Sequence, residues 1–127
     1  MSFFNKTKIL VVEDEPDIAD SLKARLALEN YDVVLAKDGK EGVEKARSEK
    51  PQLIILDVML PLINGFDVCK ILKGEQATKG IPIIILTALP RVEDAEQALA
   101  SGADDYLGKP YSNDRLMQKV RKFLPKK

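Results

Sequence analysis

Short apolar runs alternate along this 127-residue chain with longer segments in which apolar residues recur every three or four positions. The runs are typical of buried strands, and the spacing is typical of helices with one buried face. The runs predict five strands, at Ile9–Val12, Val33–Ala36, Leu53–Leu56, Ile83–Leu86 and Asp105–Leu107. Strands that are apolar throughout and joined by helices predict a parallel sheet covered on both faces, an α/β fold.

The segments between and after the runs predict five helices. The first begins at Glu15-Pro16, since proline suits a first helical turn, and Leu22 and Leu26 share its buried face with Ile18. A helix over Val92 to Ser101 ends before Gly102. The other three are indicated by Val43 and Ala46, by Val68, Ile71 and Leu72, and by Leu116, Val120, Phe123 and Leu124. Residues 1–127 are therefore predicted to form a single domain of five strand–helix units.

Composition narrows the range of functions. Lysine and arginine number 20, as do aspartate and glutamate, so the formal net charge is zero and favours neither nucleic acid nor membrane surfaces. The absence of histidine excludes Ser-His-Asp triads and His-ligated zinc. A single cysteine excludes an internal disulfide. No apolar stretch resembles a signal peptide or approaches the ~20 residues of a membrane span, so we expect a cytoplasmic protein.

Polar residues with candidate chemistry follow four of the strands. Glu13 and Asp14 follow the first, Asp57 the third, Thr87 the fourth and Lys109 the fifth. Ligands of open parallel sheets bind at the carboxyl ends of the strands. If the first and third strands are neighbours, three carboxylates converge, and clustered carboxylates with no histidine nearby suit Mg²⁺.

The same set of residues fits phosphoryl transfer to a carboxylate. Asp57 would attack phosphorus and form an aspartyl phosphate. Mg²⁺, Lys109 and the Thr87 hydroxyl would neutralise or bind the phosphoryl oxygens, which is the main requirement of such a transition state. Taken singly, these residues have simpler interpretations. Acidic residues after a strand are often solvated helix starts, Thr87 would be a helix N-cap, and Lys109 a solvated loop lysine.

Four segments in order carry a family resemblance, and they are ILVVEDEP (9–16), DVMLPLING (57–65), Thr87-Ala88 and GADDYLGKP (102–110). The chain resembles the receiver domain of two-component response regulators, of the chemotaxis-regulator type. The resemblance implies a flavodoxin-like sheet of order 2-1-3-4-5 with five helices on both faces; the alternation alone does not give that order.

The resemblance also implies the roles of individual residues. Asp57 is the phosphoacceptor, with Thr87 and Lys109 as its catalytic partners. The Mg²⁺ ligands are Glu13, Asp14, Asp57 and the backbone carbonyl of Met59. The switch residues are Thr87, Ala88, Tyr106 and Pro110, where Tyr106 turns inward as Thr87 moves toward the phosphoryl group. The Lys109–Pro110 peptide bond is expected to be cis, which is uncommon in folded proteins.

The function implied is a signalling switch rather than an enzyme, apart from its own phosphorylation and dephosphorylation. A histidine kinase or phosphotransfer protein would phosphorylate Asp57, and the face of helix 4, strand 5 and helix 5 would change to control a downstream protein. Two alternatives stay open, a phosphorelay shuttle and a binding module without phosphochemistry. A phosphatase of the haloacid dehalogenase type is disfavoured, because Asp57-Val58-Met59 lacks the second aspartate of that class.

The oligomeric state and the output are predicted from two features. One is where the chain differs from related receivers, and the other is where it ends. Receivers of the winged-helix branch dimerise through charge pairs on the helix 4–strand 5–helix 5 face. Here Ala95 and Arg115 stand where a basic and an acidic residue are usual, and Asp105–Lys119 is the one pairing left. We therefore expect a monomer. The chain ends soon after the last helix, so we expect a stand-alone or excised receiver with a protein target and no direct nucleic-acid contact.

Three further predictions concern the cysteine, the basic C-terminal segment and the access of water to the site. Cys69 lies among helical apolar residues and is predicted to be packed or partly exposed rather than reactive. The basic segment from Arg115 to Lys127 fits the preference of cations for a helix C-terminus, with a patch for an acidic partner as the alternative. Met59 and Leu89 are expected to control water access to a phosphoryl group.

Overall fold

The computed structural model describes residues 6–88 and 92–124, without the side chains of residues 92–94. Strands and helices alternate as the sequence predicts. The strands are β1 (Lys8–Val12), β2 (Asp32–Ala36), β3 (Leu53–Asp57), β4 (Ile83–Thr87) and β5 (Asp105–Gly108). The helices are α1 (Pro16–Leu28), α2 (Gly39–Glu49), α3 (Gly65–Lys73), α4 (Val92–Ala100) and α5 (Asn113–Phe123).

All five strands run parallel in one sheet, in the order β2-β1-β3-β4-β5. This confirms the predicted sheet and the strand order that the resemblance implies. Val12 of β1 pairs with Leu56 of β3, and Asp57 pairs with Leu86 of β4. The strands therefore end at a common edge, and the residues that follow β1 and β3 are neighbours in space.

Side chains alternate across the sheet into two hydrophobic clusters, one on each face. In β1, Ile9 and Val11 pack on the face covered by α1 and α5, whereas Leu10 and Val12 pack on the face covered by α2 and α3. Ala98 of α4 joins the second cluster. Strands buried on both faces explain why the sequence shows continuous apolar runs instead of alternation.

Local sequence signals mark several helix ends, and the start of α1 and the end of α4 lie close to the predicted positions. Pro16 is the first residue of α1. Asp38, Asn64 and Ser112 each cap a helix, because their side chains accept a hydrogen bond from the backbone N–H three residues later. Helix α4 ends at Ala100, one residue before the predicted end, and Gly102 then adopts a left-handed φ of +95°.

Two simpler predictions concern Cys69 and the membrane. Cys69 on α3 is fully buried, so packing is confirmed and partial exposure is wrong. Burial raises the pKa of its thiol, which makes it less reactive. Across residues 6–88 and 92–124, none of the helices has the length and apolar character that crossing a bilayer requires.

Candidate functional site

The carboxylates that follow β1 and β3 meet at the carboxyl edge of the sheet. One side-chain oxygen each from Glu13, Asp14 and Asp57 lies within 4.8 Å of the others. Glu13 and Asp57 are buried, at 3% and 5% exposure, whereas Asp14 is exposed. The sequence-predicted acidic cluster therefore exists as a site with two buried members and one open to solvent.

Glu13 has one satisfied oxygen and one that faces into the cluster. The backbone N–H of Glu15 donates to Oε2 at 3.1 Å. Oε1 is buried and has no hydrogen-bond partner within the described part of the chain. The pKa of the Glu13 carboxyl is raised to about 7, chiefly by burial and also by the nearby Asp57 carboxylate, against the lowering effects of the Glu15 N–H and the Lys109 ammonium.

Lys109 brings a positive charge to the cluster from the end of β5. Its Nζ lies 3.2 Å from Asp57 Oδ2 and 3.8 Å from Glu13 Oε1. Its backbone N–H donates to the Thr87 carbonyl at 2.7 Å, which ties the lysine to the end of β4. The Lys109–Pro110 peptide bond is cis, as predicted, and Pro110 itself is exposed.

The remaining predicted switch residues lie at the ends of β4 and β5. Thr87 is buried and pairs with Gly108, and Ala88 beside it is exposed. Tyr106 pairs with Ile85 and is half-buried against the hydrophobic cluster of α2 and α3. Residues two apart in a strand point to the same face, so Thr87 shares a face with Ile85. Because Ile85 pairs with Tyr106, Thr87 and Tyr106 lie on the same face of the sheet.

The loop after Asp57 carries Met59, whose backbone N–H donates to Asp57 Oδ1 at 3.3 Å. The Met59 side chain is 72% exposed at the mouth of the site. Its carbonyl as a metal ligand stays a prediction. Leu89, the other residue expected to control water access, lies outside the described residues.

The backbone of this loop packs directly against two glycines, a feature that sequence analysis missed. A Cβ on Gly65 would overlap the Asp57 carbonyl oxygen and lie 2.8 Å from Val58 Cα, and the Gly65 N–H donates to the Val58 carbonyl at 2.9 Å. A Cβ on Gly39, at the start of α2, would overlap the Ile63 carbonyl oxygen. Both glycines stood in the sequence, but their close contacts depend on the packing of α2 and α3.

The tip of the same loop is strained, which was also not predicted. Leu62 has a left-handed φ of +71° and is 77% exposed. The Ile63 N–H donates to the Pro61 carbonyl across it at 2.9 Å, an uncommon three-residue turn. A leucine in this conformation is energetically unfavourable, whereas a turn over Pro61 to Gly65 is what the proline and glycine in the sequence indicate.

The basic residues of α5 pair mainly within the chain. Lys119 Nζ lies 3.0 Å from Asp105 Oδ1, and Lys122 Nζ lies 3.3 Å from Asp105 Oδ2. Arg121 binds Glu29 after α1 at 2.8 Å. These pairs favour the structural interpretation of the basic segment over a free patch, although Lys126 and Lys127 lie outside the described residues. The Asp105–Lys119 pairing, expected as the remaining intermolecular contact, forms within one chain.

The donors of the acidic cluster fit a hard divalent cation. They are all oxygens, and one of them, Glu13 Oε1, is a buried carboxylate oxygen without a hydrogen-bond partner in the described ranges. Burying an unpartnered charged oxygen is unfavourable unless a cation completes its environment. Lys109 neutralises part of the charge, and the exposed Asp14 carboxylate leaves the third member of the cluster open to solvent.

Residues 9–121 match the family described as the response regulator receiver domain. The response regulator ArlR of Staphylococcus saprophyticus is 46% identical over 118 residues, which are 93% of this chain and 52% of ArlR. The DNA-binding dual master transcriptional regulator RpaA of Synechocystis is 42% identical over 117 residues, which are 92% of this chain and 48% of RpaA. The chain thus spans about half the length of these two relatives.

A solved structure with the same fold is similar over nearly the whole chain. The receiver domain of the sensor histidine kinase PA1611 of Pseudomonas aeruginosa, described with a magnesium ion coordinated in its active-site cleft, superposes with a TM-score of 0.87 at 30% identity. The match covers 95% of this chain and 99% of that one. Sequence, sheet order and site geometry agree, and the chain belongs to the response regulator receiver domain family of two-component signalling proteins.

Proposed function

We propose that this receiver accepts a phosphoryl group on Asp57 from a histidine kinase or phosphotransfer protein, in a reaction that requires Mg²⁺. The observation that carries the proposal is the Lys109 ammonium, which lies 3.2 Å from Asp57 inside a cluster of three carboxylates. A buried carboxylate beside a lysine and a cation site is a nucleophile with charge neutralisation already in place.

In this reaction an Asp57 oxygen bonds to phosphorus while the phosphorus–nitrogen bond to the donor histidine breaks, and the bonding electrons leave with the imidazole. Asp57 needs no base when it is ionised. Lys109 neutralises one phosphoryl oxygen, and the Thr87 hydroxyl donates a hydrogen bond to another. Mg²⁺ would be held by Glu13, Asp14, Asp57 and the Met59 carbonyl, and it would supply Lewis-acid neutralisation of the phosphoryl oxygens.

Phosphorylation would then be read on the face formed by α4, β5 and α5. Thr87 moves toward the phosphoryl group, and Tyr106, which lies on the same face of the sheet, turns inward behind it. Ala88 and Pro110 flank this movement at the ends of β4 and β5. The phosphoryl group thereby biases an equilibrium between two arrangements of that face.

The output we propose for this domain is a protein contact. RpaA is described as DNA-binding, and this chain spans 48% of its length, so we do not extend DNA binding to this domain. A monomeric state and a cytoplasmic location stay predictions. A phosphorelay shuttle uses the same chemistry and differs in the acceptor of the phosphoryl group, and a module that only binds a partner would not use Asp57 at all.

Intact mass spectrometry after incubation with acetyl phosphate and Mg²⁺ tests the proposal. We expect the wild-type chain to gain one phosphoryl group and Asp57→Asn to gain none. Asp20→Asn is the matched control, because Asp20 is an exposed aspartate on α1 and is not a member of the cluster. Chelating the metal should abolish the gain. Equal labelling of wild type and Asp57→Asn would refute Asp57 as acceptor, and no labelling of either would favour the binding module.

A further inference from the structure

Three adjacent side chains on β5 and α5 form a compact arrangement beside the proposed switch. The Lys119 ammonium lies 3.0 and 3.1 Å from the two carboxylate oxygens of Asp105. The same ammonium lies 5.9 Å from the centre of the Tyr106 ring. Asp105 Oδ1 also accepts the backbone N–H of Tyr106 at 2.8 Å. The aspartate therefore holds both the tyrosine backbone and the cation that faces its ring.

We propose that Asp105 and Lys119 form a brace that stabilises Tyr106 in its observed half-buried position and so opposes the phosphorylated arrangement. The proposal rests on the proposed function, in which Tyr106 turns inward. It assigns Lys119 as a positioning residue that acts through the tyrosine ring, at a distance from Asp57.

The energetic argument concerns the position of the ring. An ammonium near the face of an aromatic ring attracts it electrostatically, and the attraction at exposed sites shifts an equilibrium by about two- to fivefold. Lys119 is held in place by Asp105, so it cannot follow the ring without giving up that ion pair. Turning Tyr106 inward therefore loses the contact, whereas the Asp105–Lys119 pair can persist.

Lys122 provides a matched control on the same helix. Its Nζ contacts the same carboxylate, at 3.3 Å from Asp105 Oδ2, but lies over the Phe123 ring, 5.3 Å from its centre. Lys122→Met removes one positive charge from the same helix and from the same carboxylate partner, so it controls for the loss of a cation beside Asp105. It leaves the cation beside Tyr106 in place, so the two lysine variants separate the brace from net charge.

The first measurement uses the protein without phosphoryl donor or metal. Carbon-13-labelled tyrosine gives the side-chain rotamer populations of Tyr106 from three-bond couplings. We expect Lys119→Met to raise the ratio of inward to observed rotamer by about two- to fivefold over wild type. Lys122→Met should leave the ratio within error. Equal ratios in wild type and Lys119→Met would overturn the proposal, whether or not Asp57 accepts a phosphoryl group.

The second measurement is the affinity for beryllofluoride with Mg²⁺, a phosphoryl mimic. Lys119→Met should bind it about two- to fivefold more tightly than wild type and Lys122→Met no more tightly. In a Tyr106→Leu background the effect of Lys119→Met should vanish. Persistence of the effect without the ring would refute the brace. Absence of binding to every variant would count against the proposed function, and the rotamer ratio would then decide the brace independently.

Discussion

Replacing Glu13 with glutamine should stabilise the metal-free protein above pH 7. In the wild type an ionised Glu13 is buried beside Asp57, and its Oε1 lacks a hydrogen-bond partner among the described residues. Glutamine keeps the shape, carries no charge, and can donate an amide N–H toward the Asp57 carboxylate. The variant therefore removes the repulsion without opening a cavity.

The raised pKa of Glu13 gives the magnitude and the sign of the change in unfolding free energy with pH. Burial, with Asp57, raises the pKa of Glu13 from 4.5 to about 7. A carboxyl with a raised folded-state pKa binds protons more tightly when folded, so stability falls as pH rises between those two values. At 1.36 kcal/mol per pKa unit, the loss on going from pH 4.5 to pH 8 is about 3 kcal/mol. Mg²⁺ bound at the proposed site would favour the ionised form and should restore this stability at pH 8.

Urea unfolding in chelator at pH 5 and pH 8 measures the difference. The free energy of unfolding of Glu13→Gln should exceed that of wild type by roughly 2–3 kcal/mol more at pH 8 than at pH 5. Glu15→Gln is the control, because Glu15 is exposed at the start of α1. Adding Mg²⁺ should stabilise wild type strongly and Glu13→Gln weakly. Parallel pH profiles for wild type and Glu13→Gln would refute the argument.

Two other substitutions test how the loop and a helix end are held. Gly65→Ala places a Cβ against the Asp57 carbonyl, so it should lower the free energy of unfolding by about 3 kcal/mol and slow phosphoryl uptake. Gly80→Ala is the control, because no atom of the described residues lies within 4 Å of a Cβ there, and it should change neither quantity. Asp38→Ala removes the cap that accepts the Glu41 N–H at 2.7 Å and should destabilise the protein by about 1 kcal/mol in urea unfolding; an unchanged midpoint would contradict that role.

The strand positions and the acidic cluster could be predicted because each depends on a short stretch of sequence. Leu53–Leu56 and Ile83–Leu86 are apolar runs too short for helices, and whatever follows a parallel strand must lie at the sheet's carboxyl edge. That logic placed Glu13, Asp57 and Lys109 together. The strand order could not be predicted in this way, because alternation of strands and helices is compatible with several orders. Only the family motifs indicated the order 2-1-3-4-5.

Features that depend on how helices sit against the sheet could not be predicted. The full burial of Cys69 depends on which side of α3 faces the sheet, and a single position in a helix does not reveal that orientation. The pairing of Lys119 with Asp105 inside one chain depends on where α5 crosses β5. The left-handed φ of Leu62 could not be predicted either, since leucine disfavours that conformation and a glycine would be expected where it occurs.

The loop between β3 and α3 has a fixed frame and a free tip, with a consequence for how receivers of this kind can diversify. Gly39 and Gly65 press on its two ends and leave no space for any side chain there. Met59 and Leu62 project into solvent between them. Substitutions at the two exposed positions can therefore accumulate without moving the Asp57 backbone. The same chemistry can be retuned, in the access of water or of a partner to Asp57, by exchanging side chains that the fold does not use.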